Sequence, residues 1–91
     1  MIREIKRTTQ FKKDVKLMLR QGRDLKLLLD IVEKLQNDIP LPPEMKDHPL
    51  VGNWQGKREC HIEPDWLLIY EKTDTLLLLT LVRTGTHSDL F

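Results

Sequence analysis

Cysteine occurs once in the chain, at Cys60. No internal disulfide is possible, which fits a reducing compartment. Glycine is limited to four scattered residues, and this excludes a glycine-rich loop that cradles nucleotide phosphates. No pair of Cys or His has the spacing of a structural zinc site or a zinc protease. Cys60 and His61 are adjacent, so on a strand their side chains point to opposite faces, against a Cys–His nucleophile. No apolar run approaches the length of a membrane span, and the N-terminus has no signal-peptide core. Repeats and low-complexity tracts are missing as well. With 91 residues there is room for one domain, expected over residues 1–91. The expectation is a cytoplasmic protein with no membrane association, no metal and no cofactor.

Charge is present in quantity but unevenly placed. The net value is +1, yet residues 1–26 hold nine Lys or Arg against three Asp or Glu, a balance of +6. The remaining residues hold six basic and eleven acidic side chains, a balance of −5. A basic segment of this kind suits nucleic acid or an acidic protein partner; a solvated helix face is the plain alternative.

Apolar spacing gives the elements. Met1 to Arg7 alternates Ile2 and Ile5 among charges and reads as a first strand. Thr8 or Thr9 can cap a helix whose face is Phe11, Val15, Met18 and Leu19, with Gly22 placed to end it. A second helix starts near Asp24, with the stripe Leu25, Leu28, Leu29, Val32 and Leu35, widened by Leu27 and Ile31. Pro40, Pro42 and Pro43 stop it. Strands are then expected at Lys57–Ile62, Trp66–Glu71 and Thr75–Arg83, with turns at Glu63-Pro64-Asp65 and Thr73-Asp74. The leucine-rich last run fits a central strand covered on both faces. The fold class is α+β, in the order β-α-α-β-β-β, with two N-terminal helices on a mostly antiparallel sheet. Thr84 to Phe91 forms a short tail with room for one turn of helix.

The residues able to do chemistry gather in the second half. His48, His61 and His87 each lie near a turn or strand end, and histidine exchanges protons near neutral pH. His61 and Asp65 flank one turn and are expected to be neighbours. Arg83 offers a fixed cationic fork for phosphate. Trp66 or Phe91 can stack on an unpaired base. Together these supply a base for a ribose 2′-hydroxyl, a cation for phosphorane charge and an acid for the leaving 5′-oxygen. Singly, each has a plainer reading: bystander histidines, a structural ion pair for Arg83, core packing for Trp66 and Trp54, and a simple turn for Asp65.

Several strings in these segments are distinctive. Lys46-Asp47-His48-Pro49-Leu50, Gly52-Asn53-Trp54-Gln55-Gly56, His61-Ile62-Glu63-Pro64-Asp65-Trp66-Leu67-Leu68-Ile69-Tyr70 and the closing Arg83-Thr84-Gly85-Thr86-His87-Ser88-Asp89-Leu90-Phe91 resemble the YafQ branch of the RelE/ParE toxin superfamily. The resemblance extends through Asp14-Val15-Lys16-Leu17 to essentially the whole chain.

That resemblance implies a toxin of a type II toxin–antitoxin pair, a ribosome-dependent endoribonuclease (mRNA interferase). It would cut mRNA in the ribosomal A site by metal-independent attack of the 2′-hydroxyl, leaving a cyclic phosphate. The implied partners are a cognate antitoxin and the ribosome, through 16S rRNA and bound mRNA. Carried over by motif, the site is His48, His61, Asp65, Arg83 and His87, with Trp66 and Phe91 shaping it around a base. His87 is the expected acid, His61 or His48 the base, and Asp65 the group that orients an imidazole. The motif assigns no role to Cys60. The competing reading is a non-catalytic ParE-like toxin that binds DNA gyrase, in which the histidines and Arg83 would be idle. A fold relative with decayed activity is the third.

Overall fold

A computed structural model describes residues 2–91; Met1, assigned above to the first strand, lies outside them. Strand β1 spans Glu4–Arg7, helix α1 Thr9–Arg20 and helix α2 Leu25–Gln36. Strands β2 (His48–Pro49), β3 (Arg58–Glu63), β4 (Trp66–Thr73) and β5 (Leu78–Gly85) follow, and helix α3 spans His87–Leu90. The five strands form one sheet in the order β1-β5-β4-β3-β2, with β1 parallel to β5 and every other pairing antiparallel. The expected α+β order is observed, with a two-residue edge strand added at His48–Pro49. Among the described residues no helix is long and apolar enough to cross a membrane.

Local chemistry sets the boundaries. The Thr8 hydroxyl accepts from the Phe11 N–H at 2.9 Å and donates to the Val82 carbonyl at 2.8 Å, so one side chain starts α1 and fastens it to β5. At the other end Gly22 has φ +81°, and the N–H groups of Gly22 and Arg23 return to the carbonyls of Leu19 and Met18. This is a Schellman closure, which needs a residue at ease with positive φ. Asp24 caps α2 through the Lys26 N–H.

Burial revises several expectations. In α1 the inward positions are Phe11, Asp14 and Met18. Leu19 is exposed, and Asp14 occupies a buried place that an apolar count passes over. In α2, Leu28, Ile31, Val32 and Leu35 are buried, whereas Leu27 and Leu29 are exposed. The strand expected at Thr75–Arg83 begins only at Leu78, because Asp74 to Leu77 form a turn and Leu77 takes φ +49°. It alternates buried and half-buried residues, so it is not the strand covered on both faces. That strand is β4, whose Trp66, Leu67, Leu68, Ile69 and Tyr70 are all buried.

The alternation along β4 divides the interior. Trp66, Leu68 and Tyr70 join Cys60 and Ile62 in the main core with the residues of α1 and α2. Leu67 and Ile69 point the other way and pack with Leu90, Leu50, Trp54 and Val82 in a smaller cluster. Much of the basic N-terminal segment stays on the surface, but two of its arginines serve the fold. Arg3 is buried between Asp38 and Asp74, and Arg23 pairs with Glu63 at 3.1 Å.

Candidate active site

The histidines meet on the sheet face that α1 and α2 leave uncovered. In β3, Cys60 and Ile62 enter the main core, so the period of two turns Glu59 and His61 to the opposite face. His48 on β2 is the direct register partner of Glu59. His61 Nε2 lies 3.7 Å from Glu59 Oε1, and His48 Nε2 lies 4.0 Å from Glu59 Oε2.

His87 arrives from the tail. A capping box, with Thr86 accepting from the Asp89 N–H and Asp89 accepting from the Thr86 N–H, turns the chain sharply after β5. Gly85 permits the fold-back, since a Cβ there would stand 3.1 Å from the Cβ of Asp89. Leu90 anchors the turn in the smaller cluster. The His87 ring then sits 6.3 Å from His61 and 5.6 Å from Phe91, centre to centre. Phe91 is 57% exposed and meets the half-buried Trp54 edge-on at 6.0 Å. Trp54 thus packs, as its plainer reading had it, and it also braces Phe91.

His48 is held from behind. The Tyr70 hydroxyl donates to Asp47 at 2.6 Å, and Arg58 donates to the same oxygen at 3.1 Å. Burial, then the Asp47 contact, push the Tyr70 hydroxyl pKa well above its ordinary value of 10.0. His48 Nδ1 lies 2.6 Å from the Lys46 carbonyl oxygen. A carbonyl only accepts, so Nδ1 carries the hydrogen, and the neutral ring presents Nε2 as a bare acceptor. Beside His61 opens a recess of about 310 Å³ lined by Met45, Lys46, Ile62 and Pro64 among others.

Three expected members are placed differently. Trp66 is 1% exposed, its Nε1 donates to the Thr84 hydroxyl at 2.9 Å, and the Arg23 guanidinium stands 5.9 Å from its ring centre. It is a core residue and cannot stack on a base. Asp65 lies in the exposed turn between β3 and β4, and among the described residues its side chain pairs with no histidine. A bulge between His61 and Glu63 separates that turn from the regular ladder. The carboxylate next to the imidazoles is Glu59. Arg83 makes a two-pronged bond to Asp14, at 3.0 and 2.9 Å, which raises its pKa further, and the Thr84 N–H donates to the same carboxylate. Its side chain remains 26% exposed. The structural ion pair is therefore real, and part of the guanidinium still faces solvent.

Sequence reasoning missed Glu59, which stands two residues before His61 on the same strand face. Period-two spacing from His61 was the available signal. Among the described residues no group of three or more His, Cys, Asp or Glu is arranged to hold a metal ion.

Comparison with known proteins places this geometry in a family. The model of a bacterial toxin of type II toxin–antitoxin systems, YafQ, matches residues 3–91. The mRNA interferase toxin YafQ of Escherichia coli K12 is 48% identical over 90 residues, covering 98% of this chain and 96% of that protein. The crystal structure of YafQ from E. coli BL21(DE3) superposes with a TM-score of 0.91 at 47% identity, covering 98% of both chains. A chain of the E. coli DinJ–YafQ toxin–antitoxin complex gives 0.90 at 47% identity, covering 100% of this chain and 99% of that one. This chain belongs to the YafQ family of type II toxin–antitoxin toxins.

Proposed function

We propose that the protein is an mRNA interferase, the toxin of a type II toxin–antitoxin pair, acting in the cytoplasm on mRNA in the ribosomal A site. The observation that carries this reading is the meeting of His48, His61 and His87 on one open face of the sheet, beside an exposed aromatic ring.

The reaction follows from the groups available. The bare Nε2 of His48 takes the proton of a ribose 2′-hydroxyl, with His61 completing the basic side of the site. The 2′-oxygen attacks phosphorus, and the exposed part of Arg83 stabilises the charge that builds on the phosphoryl oxygens. His87 protonates the departing 5′-oxygen. The products are a 2′,3′-cyclic phosphate and a 5′-hydroxyl. Phe91 supplies a face for an unpaired base, and Asp65, in its exposed turn, is free to contact substrate rather than an imidazole.

Partner surfaces lie elsewhere. Lys6, Arg7, Lys12, Lys13, Lys16, Arg20 and Lys26 are exposed and suit ribosomal RNA. Between α1, α2 and the sheet runs an apolar groove of about 350 Å³, lined by Phe11, Val15, Leu28 and Leu29 among others and edged by Arg7, Lys12 and Lys16. Such a groove fits an acidic amphipathic segment of the cognate antitoxin.

The test is inducible expression with and without that antitoxin. Growth arrest with rapid loss of translation is expected, relieved by co-expression. Arrest with DNA damage and continuing translation would replace this reading with gyrase inhibition.

A further inference from the structure

We propose that Glu59 is a positioning residue of the cleavage reaction, its carboxylate standing beside His48 and His61 to stabilise the imidazolium that forms when one of them takes the proton. The inference rests on the reading of the protein as a ribonuclease and deepens it.

Glu59 is 4% exposed, unusual for a carboxylate. It stands on β3 opposite Ile69 of the smaller apolar cluster. No arginine or lysine balances it: among the described residues the basic groups within 4.0 Å of it are the two imidazoles. Other carboxylates near β3 are committed differently, Asp47 to Arg58 and Tyr70, Glu63 to Arg23, and Glu71 to Lys57. A buried carboxylate favours a nearby positive charge, and here that charge arises when an imidazole gains the proton.

The geometry divides the work between two supports. The Lys46 carbonyl fixes the Nδ1–H tautomer of His48 and leaves Nε2 as the base. Glu59 faces that same Nε2. When Nε2 gains the 2′-hydroxyl proton, the new imidazolium meets a carboxylate already in place, which costs no reorganisation during the reaction. His61 Nε2 stands 3.7 Å from the other oxygen, so a proton gained there meets the same carboxylate. The arrangement uses Glu59 where the motif had suggested Asp65.

The experiment is single-turnover mRNA cleavage on programmed ribosomes with the full chain. It compares wild type, Glu59→Gln, Glu59→Asp, His48→Ala and the Glu59→Gln/His48→Ala double variant. Glu59→Gln should lower the rate at saturating ribosomes by about 100-fold, the lower end of what a positioned acid–base group contributes. The half-saturating ribosome concentration should stay the same. Glu59→Asp, which keeps the charge, should retain more activity than Glu59→Gln. In the double variant the Gln substitution should add little to the loss from His48→Ala, because both act on one proton transfer.

A purely structural role would instead make the two losses add in full. That additivity, a wild-type rate for Glu59→Gln, or a Glu59→Asp variant slower than Glu59→Gln would each overturn the proposal. Melting curves of all variants establish that the compared proteins are folded, and the Asp variant keeps the test decisive if the Gln protein does not fold. A wild-type protein that leaves mRNA intact on ribosomes would remove the ribonuclease reading itself, and this inference with it.

Discussion

The two faces of the sheet are built from the same strands to opposite ends. On the helix-covered face, Cys60, Ile62, Trp66, Leu68 and Tyr70 are buried with α1 and α2. Polar atoms appear there when they are paired, as in the Trp66–Thr84 bond. On the other face a small apolar cluster of Leu67, Ile69 and Leu90 supports three imidazoles, a nearly buried carboxylate and an exposed phenyl ring. Adjacent residues of β3 therefore serve different ends, Cys60 stability and His61 chemistry. A one-residue slip in register would exchange them. The ladder shifts register at His61/Glu63, just before the turn that carries Asp65, and at Ile69/Tyr70, opposite Arg83 and Leu81.

The contrast predicts which substitutions should cost rate and which should cost stability. His87 is exposed and lies on the open face, so His87→Ala should lower mRNA cleavage by about 100-fold to 10,000-fold while leaving the melting curve in place. A parallel fall in melting temperature would blur the division. Trp66→Ala belongs to the other face and should destabilise by about 3–5 kcal/mol in denaturant unfolding. The Trp66→Phe protein should cleave at close to the wild-type rate per folded molecule, and a large rate loss there would restore a substrate role for the indole.

Tyr70→Phe crosses between the faces. It removes one bond to Asp47, worth about 1 kcal/mol, and loosens the segment carrying His48. Cleavage should fall even under conditions where the protein is fully folded.

The smallest effect concerns Cys60. Burial pushes its thiol up to about 12 from an ordinary 9.0. The folded state keeps this proton while the unfolded chain gives it up, so the unfolded state binds fewer protons and stability falls as pH rises. That stability is fully present below the unfolded value and is lost from about pH 9 up through the folded value of about 12. Cys60→Ala should flatten part of the decline in melting temperature over that window. Native protein should react slowly with thiol reagents at pH 8 and unfolded protein rapidly.

Much of this division was legible in the sequence. Helix starts at Thr8 and Asp24, the stop at Gly22 and the turn at Pro64-Asp65 follow from local chemistry, which needs no partner. The histidines were legible as types, since three imidazoles within one short half-chain, beside an arginine and aromatics, supply the groups that acid–base chemistry needs. Long-range pairing was harder to read. Asp14 sits on the inner face of α1 because Arg83, 69 positions away, meets it there. Trp66 looked like a base-stacking ring because a lone sequence does not tell that β4 is the strand covered on both faces. Glu59 is hidden in a sequence where Asp65 stands closer to a turn, while alternation along the strand selects the residue two before His61. The Leu76–Leu79 run hid a turn, since Leu77 adopts a left-handed backbone conformation that its residue type does not advertise.

The central claim is that the open face cleaves mRNA with its own imidazoles. Its most direct test is mapping mRNA ends in a translation extract with pre-programmed ribosomes, with wild-type protein and with His87→Ala. The account predicts new 5′-hydroxyl ends at A-site codons, matched by upstream 2′,3′-cyclic phosphates, in the wild-type reaction and their near absence with the variant. Identical end patterns from both proteins, or 5′-phosphate ends in place of 5′-hydroxyls, would contradict it.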